Sequence, residues 1–512
     1  MNQNNFSNIT NSELHLQGNG GQFTIAIDQS TSATKAMLFD ENGQLIAGTS
    51  EDHRQYYPQP GFVEHDGVEI IENTFKAVKS LVDNHISARD QILSIAITNQ
   101  RETVVVWDKR TGKPVYNAVV WQCNRGTHIC ENLIAQGHQP MVTEKTGLII
   151  NPYFSASGIK WILDNVENAR QDAENGYLLM GTMDSWLIWN LTGGKVHATD
   201  YTNASRTLLF NIHTLEWDQE LLDLFTIPAS LLPEVKPCDS IYGTTSFGGI
   251  IPETPIAGVL GDSHGALAGQ MCFTPGMGKA TYGTGSSIMI NIGEKALPAP
   301  KGLVTSVAFS TCGKTYFAFE GNIHCTGATI KWLQDDLKLI QSAAETEELA
   351  TSVNSTDGVY FVPAFAGLGA PWWDNDAKAL ICGMNRGTGK AHIVRAALES
   401  IAYQVKDLMD LIQNSGVELK ELRVDGGPVK NNFLMQFQAD MLRAKINRSP
   451  IQEASALGAF LMSGFALKKW KSLTEAEKLR STNDYITPVM KPQLMEQLHA
   501  EWQKAVQRTM MK

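Results

Sequence analysis

Cysteine is scarce in this chain of 512 residues: there are seven, at positions 123, 130, 238, 272, 312, 325 and 382, with no CxxC pair among them. An odd number, spread through apolar segments, excludes a disulfide framework and a zinc site and predicts a reducing compartment. No run approaches the roughly 20 apolar residues of a membrane span, so a cytoplasmic protein without a membrane partner is expected. Lys and Arg nowhere cluster, and the net charge is −11. A nucleic-acid surface needs a concentrated basic patch, so no nucleic acid is expected as partner. The first twenty residues, rich in Asn, Gln and Ser, lack the apolar core of a signal peptide. They are expected to form a disordered arm, residues 1–20. A small molecule is left as the partner.

Apolar residues make up 43% of the chain, with 43 Gly and 19 Pro, and a globular chain this long exceeds one core. Strand-like runs (92–98, 103–107, 256–261) alternate with helical patterns such as 126–136 and 266–270, which predicts an α/β fold. Two polar turns stand out. Ile27-Asp28-Gln29-Ser30-Thr31-Ser32 follows the strand pattern 23–27, and Tyr282-Gly283-Thr284-Gly285-Ser286-Ser287 opens a second hairpin from Lys279. Small residues, free N–H groups and hydroxyls are what phosphate requires, although a solvent-exposed hairpin offers the same composition. A third turn, Val424-Asp425-Gly426-Gly427-Pro428, leads a strand into a helix, where helix N–H groups can face a ligand. The second half thus restarts the element order of the first, and a boundary is expected near 264, giving domains 21–264 and 265–512. Phosphoryl transfer needs a carboxylate for Mg²⁺ and a base at the attacking hydroxyl. Asp28, at the first hairpin tip, suits the former. Asp262, closing an apolar strand, suits the latter or equally the cap of a following helix.

Longer runs carry a resemblance: Ile97 to Thr103 (ITNQRET), Ala118 to Cys123 (AVVWQC), Thr199 to Ile212 (TDYTNASRTLLFNI), Pro363 to Pro371 (PAFAGLGAP) and Ala397 to Gln404 (ALESIAYQ). From about Phe23 to Leu467 the chain resembles the FGGY carbohydrate kinase family, and within it the kinases of glycerol. The resemblance implies two actin-like (ribonuclease H-like) ATPase domains flanking a central cleft, with ATP and Mg²⁺ as cofactors and a small polyol or sugar as substrate. It implies glycerol phosphorylation at a terminal hydroxyl, with a longer polyol or ketose as the alternative. A nonenzymatic actin-like nucleotide switch is a remote third reading. It also implies a homo-oligomer, dimer or tetramer.

By the same resemblance the polyol contacts are Arg101, Glu102, Trp121, Tyr153, Asp262 and Ser263, with Asp262 also the catalytic base. The nucleotide falls to Thr31, Ser32, Lys35, Thr284, Gly327, Gly427 and Asn431, and the metal to Asp28. Departures from the family pattern fall at Ser30, at Lys35 in place of Arg, at Ser263-His264-Gly265 in place of Gln-Gln-Ala, at Ser287 in place of an aromatic residue, and at Lys331 in place of Gln. They suggest a roomier pocket. His264 is open to two readings, a contact to a substrate hydroxyl or a structural hydrogen bond. The segment Phe247–Pro252 lacks the Arg of the family's fructose bisphosphate loop, and no such inhibition is expected.

Overall fold

The computed structural model of the chain describes residues 21–511 apart from Trp373, Asn375, Gln452, Ser481 and Thr482, so the arm expected at 1–20 lies outside the described residues. Two units emerge. The first comprises the residues up to Met271 together with Ser306–Phe317 and Glu453–Leu479; the second comprises Cys272–Thr305, Ala318–Gln452 and Arg480–Lys512. A single boundary near 264 leaves both inserted segments, Ser306–Phe317 and Glu453–Leu479, in the second half.

The first unit is built on a six-stranded sheet in the order Ile241–Thr245, Thr254–Gly261, Ile92–Asn99, Phe23–Gln29, Ala33–Phe39, Leu45–Asp52. Its three central strands run parallel. They read as continuous apolar runs because both faces of a parallel sheet are covered. The strand Phe23–Gln29 is buried at every residue. Helix Gly67–His85 covers the hairpin strands on one side, and helix Ala454–Ala466 packs on the parallel strands. The first of these helices starts where Asp66 accepts hydrogen bonds from the amides of Val68 and Glu69, and it buries Ile70, Ala77, Val78, Leu81 and Val82 at helical spacing.

Helix Ala454–Ala466 explains why its segment belongs to this unit. Eleven of its thirteen residues are buried, and it packs against the short helix Asp262–Gly269 at backbone distance. A Cβ added at Gly458 would sit 2.0 Å from the carbonyl oxygen of Gly265. Glycine is therefore required by the approach of the two helices.

The second unit repeats the plan in a seven-stranded sheet that includes, side by side, Ser286–Gly293, Met277–Tyr282, Glu421–Gly426 and Lys445–Arg448. A hairpin again lies beside parallel strands, with Thr281 opposite Asp425 as Asp28 lies opposite Thr98 in the first unit. All seven cysteines are free. No helix among the described residues is long and apolar enough to cross a membrane.

Candidate active site

In the first unit three neighbouring parallel strands deliver their carboxyl ends to one edge of the sheet, the usual ligand side of an open α/β sheet. Asp28 pairs with Thr98 in register, and Gly261 pairs with Asn99. Asp28, the Arg101-Glu102 pair and Asp262 therefore emerge together. Asp28 lies at the end of its strand, Arg101 and Glu102 follow the strand that ends at Asn99, and Asp262 follows the strand that ends at Gly261.

Asp28 is buried, and burial pushes its carboxyl up to about 7; Lys35 opposes the shift, while the carboxylates of Glu453 and Asp262 add to it. Its Oδ1 has no hydrogen-bond partner among the described residues. An orphaned buried carboxylate oxygen is costly unless a cation meets it, and Mg²⁺ characteristically takes one or two carboxylates plus water and phosphate oxygens. The residues present fit Mg²⁺ in that manner. Lys35 sends its ammonium to both oxygens of Glu453, at 2.9 and 3.1 Å.

Asp262 is the first residue of helix Asp262–Gly269, which the sequence reading started at 266, and its N-cap is Gly261. The capping alternative for Asp262 therefore fails. Its Oδ1 accepts from the Ser263 amide at 2.5 Å and lies 3.1 Å from Nε of Arg101, while its side chain is 38% exposed. Arg101 is 6% exposed. The strand end before Asp262 is pinned by the Gly261 amide, which donates to Oγ1 of Thr202 at 2.9 Å, and by Ser455, whose hydroxyl donates to the Asp262 carbonyl at 2.8 Å. His264 is fully buried with Nε2 3.1 Å from Oγ of Ser306. It is thus a hydrogen-bonding group inside the unit, as the structural reading expects. Ser263 is partly exposed.

Glu102 sits in the left-handed region, φ 61°, and its carbonyl accepts from Oγ of Ser155 at 2.8 Å. Its carboxylate is held by Nε of Arg206 at 2.5 Å. The indole of Trp121 donates to Oγ1 of Thr31 at 3.0 Å and meets Tyr153 edge-on, with ring centroids 5.5 Å apart. Thr31 is thereby tied to the aromatic wall. His53 clamps the same turn twice: its ring Nε2 donates to the Thr31 carbonyl at 3.1 Å and its amide donates to the Ser32 carbonyl at 3.1 Å. Burial holds the His53 pKa below the ordinary value, so the ring stays neutral. Ser32 is exposed at the tip. Arg206, His53 and Glu453 were missed by sequence reasoning. Arg206 lay within a run used for the resemblance, but nothing in its spacing pointed to Glu102.

In the second unit the turn Gly283–Gly285 is docked on the start of helix Gly327–Asp335. The amides of Thr326 and Ala328 donate to the Thr284 carbonyl at 2.9 and 3.0 Å, and that of Gly327 donates to the Gly283 carbonyl at 2.9 Å. A Cβ at Gly327 would lie 2.6 Å from that carbonyl oxygen, so the position demands glycine. Thr284 is exposed. Asn431 caps helix Asn432–Leu442 by accepting from the Leu434 amide at 2.9 Å, and its Nδ2 donates to Oγ1 of Thr346 at 3.0 Å. Gly427 is exposed, with nothing within 4 Å of an added Cβ. Ser287 accepts from the buried Lys279 at 3.1 Å, and Lys331 is exposed.

Residues 23–269 match the N-terminal domain and residues 278–467 the C-terminal domain of the FGGY family of carbohydrate kinases. This chain belongs to that family. It is accordingly an ATP-dependent kinase with the two-domain FGGY fold. Among its relatives, glycerol kinase 2 of Thermotoga maritima is 50% identical over 490 residues, covering 96% of this chain and 99% of that protein. The glycerol kinase of Caldanaerobacter subterraneus subsp. tengcongensis is likewise 50% identical, with 96% and 99% covered. The crystal structure of Plasmodium falciparum glycerol kinase with ADP superposes with a TM-score of 0.92 at 37% identity, over 96% of this chain and 99% of that one.

Proposed function

We propose that this FGGY kinase transfers the γ-phosphoryl group of ATP to a terminal hydroxyl of glycerol, giving glycerol 3-phosphate and ADP. The observation that carries the reading is Asp262: a partly exposed carboxylate at the end of a parallel strand, oriented by Arg101 and by its own helix N-terminus. About 50% identity over nearly the whole length to kinases named for glycerol supports the substrate. Asp262 accepts the proton of the attacking hydroxyl as its oxygen bonds to phosphorus and the β–γ bridging oxygen leaves with ADP. Arg101 and Glu102 donate to and accept from the remaining hydroxyls, Tyr153 adds a hydroxyl contact and Ser263 a further polar one, and Trp121 forms an apolar wall for the carbon face. Thr31, Ser32, Lys35 and Thr284 serve the phosphates, and Gly327, Gly427 and Asn431 the rest of the nucleotide. Asp28 is the residue that would hold Mg²⁺, which neutralises phosphate charge when bound.

The test is ADP release with Mg-ATP against glycerol, erythritol, threitol, ribitol, ribulose, xylulose and dihydroxyacetone. Glycerol is expected to give the highest kcat/KM. Asp262→Asn is expected to keep nucleotide binding and to lose about 10²- to 10⁴-fold in kcat, the range for a positioned general base. A longer polyol or ketose in first place refutes the substrate; retained turnover in Asp262→Asn refutes the base.

A further inference from the structure

The pair of Glu102 and Arg206 is buried far beyond what an ordinary surface ion pair requires. Both side chains are 2% exposed, and Nε of Arg206 lies 2.5 Å from Oε1 of Glu102 across 104 residues of sequence. The guanidinium is itself held in place, with its carbon 5.1 Å from the ring centre of Phe154 and 5.9 Å from that of Tyr153. The rings that steady Arg206 thus continue into the Tyr153–Trp121 contact. At its other end Glu102 is fixed by the Ser155 hydroxyl on its carbonyl, with the backbone in the left-handed region. Backbone and carboxylate of one glutamate are therefore both anchored.

A buried ion pair is a poor device for stability, because desolvation of two charges consumes most of their attraction. It is a good device for aiming an acceptor. A carboxylate without a cation in such a place takes up a proton and becomes a donor, whereas a hydroxyl that must donate requires the ionised form in a fixed direction. Arginine suits this better than lysine, since its planar fork fixes direction as well as charge.

Resting on the reading of Glu102 as a polyol contact, we propose that Arg206 is a positioning residue: through its ion pair with Glu102 it sets the preference for a polyol over the same carbon skeleton lacking one hydroxyl. Arg206 acts through Glu102 and carries no part of the phosphoryl transfer. A site built to bond a hydroxyl rejects the analogue lacking it because its own buried polar group is left unpaired. When the aim of Glu102 is lost, that rejection weakens.

The experiment compares kcat/KM for glycerol with kcat/KM for propane-1,2-diol and propane-1,3-diol, and the KM for Mg-ATP, in the wild type, Glu102→Gln, Arg206→Met and Arg206→Lys. Arg206→Met and Glu102→Gln are each expected to shrink the glycerol-to-diol ratio by about tenfold or more, with the KM for Mg-ATP within about twofold of the wild type. Arg206→Lys, which keeps the charge and loses the fork, is expected to fall between. If the Arg206 variants slow glycerol and the diols by the same factor while Glu102→Gln narrows the ratio, Arg206 is only structural and the proposal is overturned. Should Arg206→Met not fold, an unchanged ratio in Arg206→Lys overturns it alone. If Glu102→Gln itself leaves both the ratio and the KM for glycerol unchanged, the polyol role of Glu102 falls, and this proposal with it.

Discussion

One methyl group, placed away from any substrate contact, should nearly silence this enzyme. Gly458 on helix Ala454–Ala466 faces Gly265 on helix Asp262–Gly269, and a Cβ there would lie 2.0 Å from the Gly265 carbonyl oxygen, 2.7 Å from its carbonyl carbon and 2.8 Å from its Cα. Ordinary contact begins near 3.4 Å, so Gly458→Ala must part the two helices by about 1.4 Å; the atoms in the way are backbone and cannot turn aside. Asp262 begins the displaced helix, three positions before Gly265. Its carbonyl is bonded to Ser455 across the same interface at 2.8 Å, a bond that such a shift would break. A misplacement of about 1 Å costs on the order of 10²-fold in rate. Overpacking costs about 1–3 kcal/mol, which leaves most of such a protein folded. The assay is the initial rate of ADP release at saturating Mg-ATP and glycerol, beside a thermal melt. The expected result is a folded protein with kcat down by about 10²-fold. A variant with kcat within about threefold of the wild type would show that the position of Asp262 does not depend on this contact.

Two further expectations follow from the same geometry. His65 is fully buried and its pKa is pushed down to about 3 by burial, with His53 adding in the same direction. The unfolded chain therefore binds the proton first, and the stability held above the unfolded value of 6.5 is lost as pH falls from there toward 3. At pH 5 this amounts to about 2 kcal/mol, so thermal melts at pH 7.5 and pH 5 should show His65→Gln losing less on acidification than the wild type; equal losses would count against the buried neutral ring. Gly427→Leu meets open space and is expected to hold stability within about 0.5 kcal/mol. Its KM for Mg-ATP should nevertheless rise about tenfold with the KM for glycerol unmoved, and an unchanged nucleotide KM removes Gly427 from the nucleotide contacts.

What the chain's order of residues determined by itself is local. The apolar runs at 23–27, 92–98 and 256–261 form most of the three parallel strands Phe23–Gln29, Ile92–Asn99 and Thr254–Gly261, because a sheet covered on both faces needs them, and the polar turns at 28–32 and 282–287 close hairpins in both units. Asp28 and Asp262 were singled out by their place after apolar runs, and Arg101 and Glu102 only by the family motif around them; the structure sets all four beside neighbouring parallel strand ends. The start of helix Asp262–Gly269 was not: its small residues pack on another helix, and that contact is invisible in a local pattern. The partners of the site residues were equally invisible. Lys35 meets Glu453 across 418 positions and Glu102 meets Arg206 across 104, and His264 meets Ser306. Hydrogen bonds and ion pairs act over a few ångströms and carry no trace of sequence distance, so only the tertiary packing decided which charge holds which.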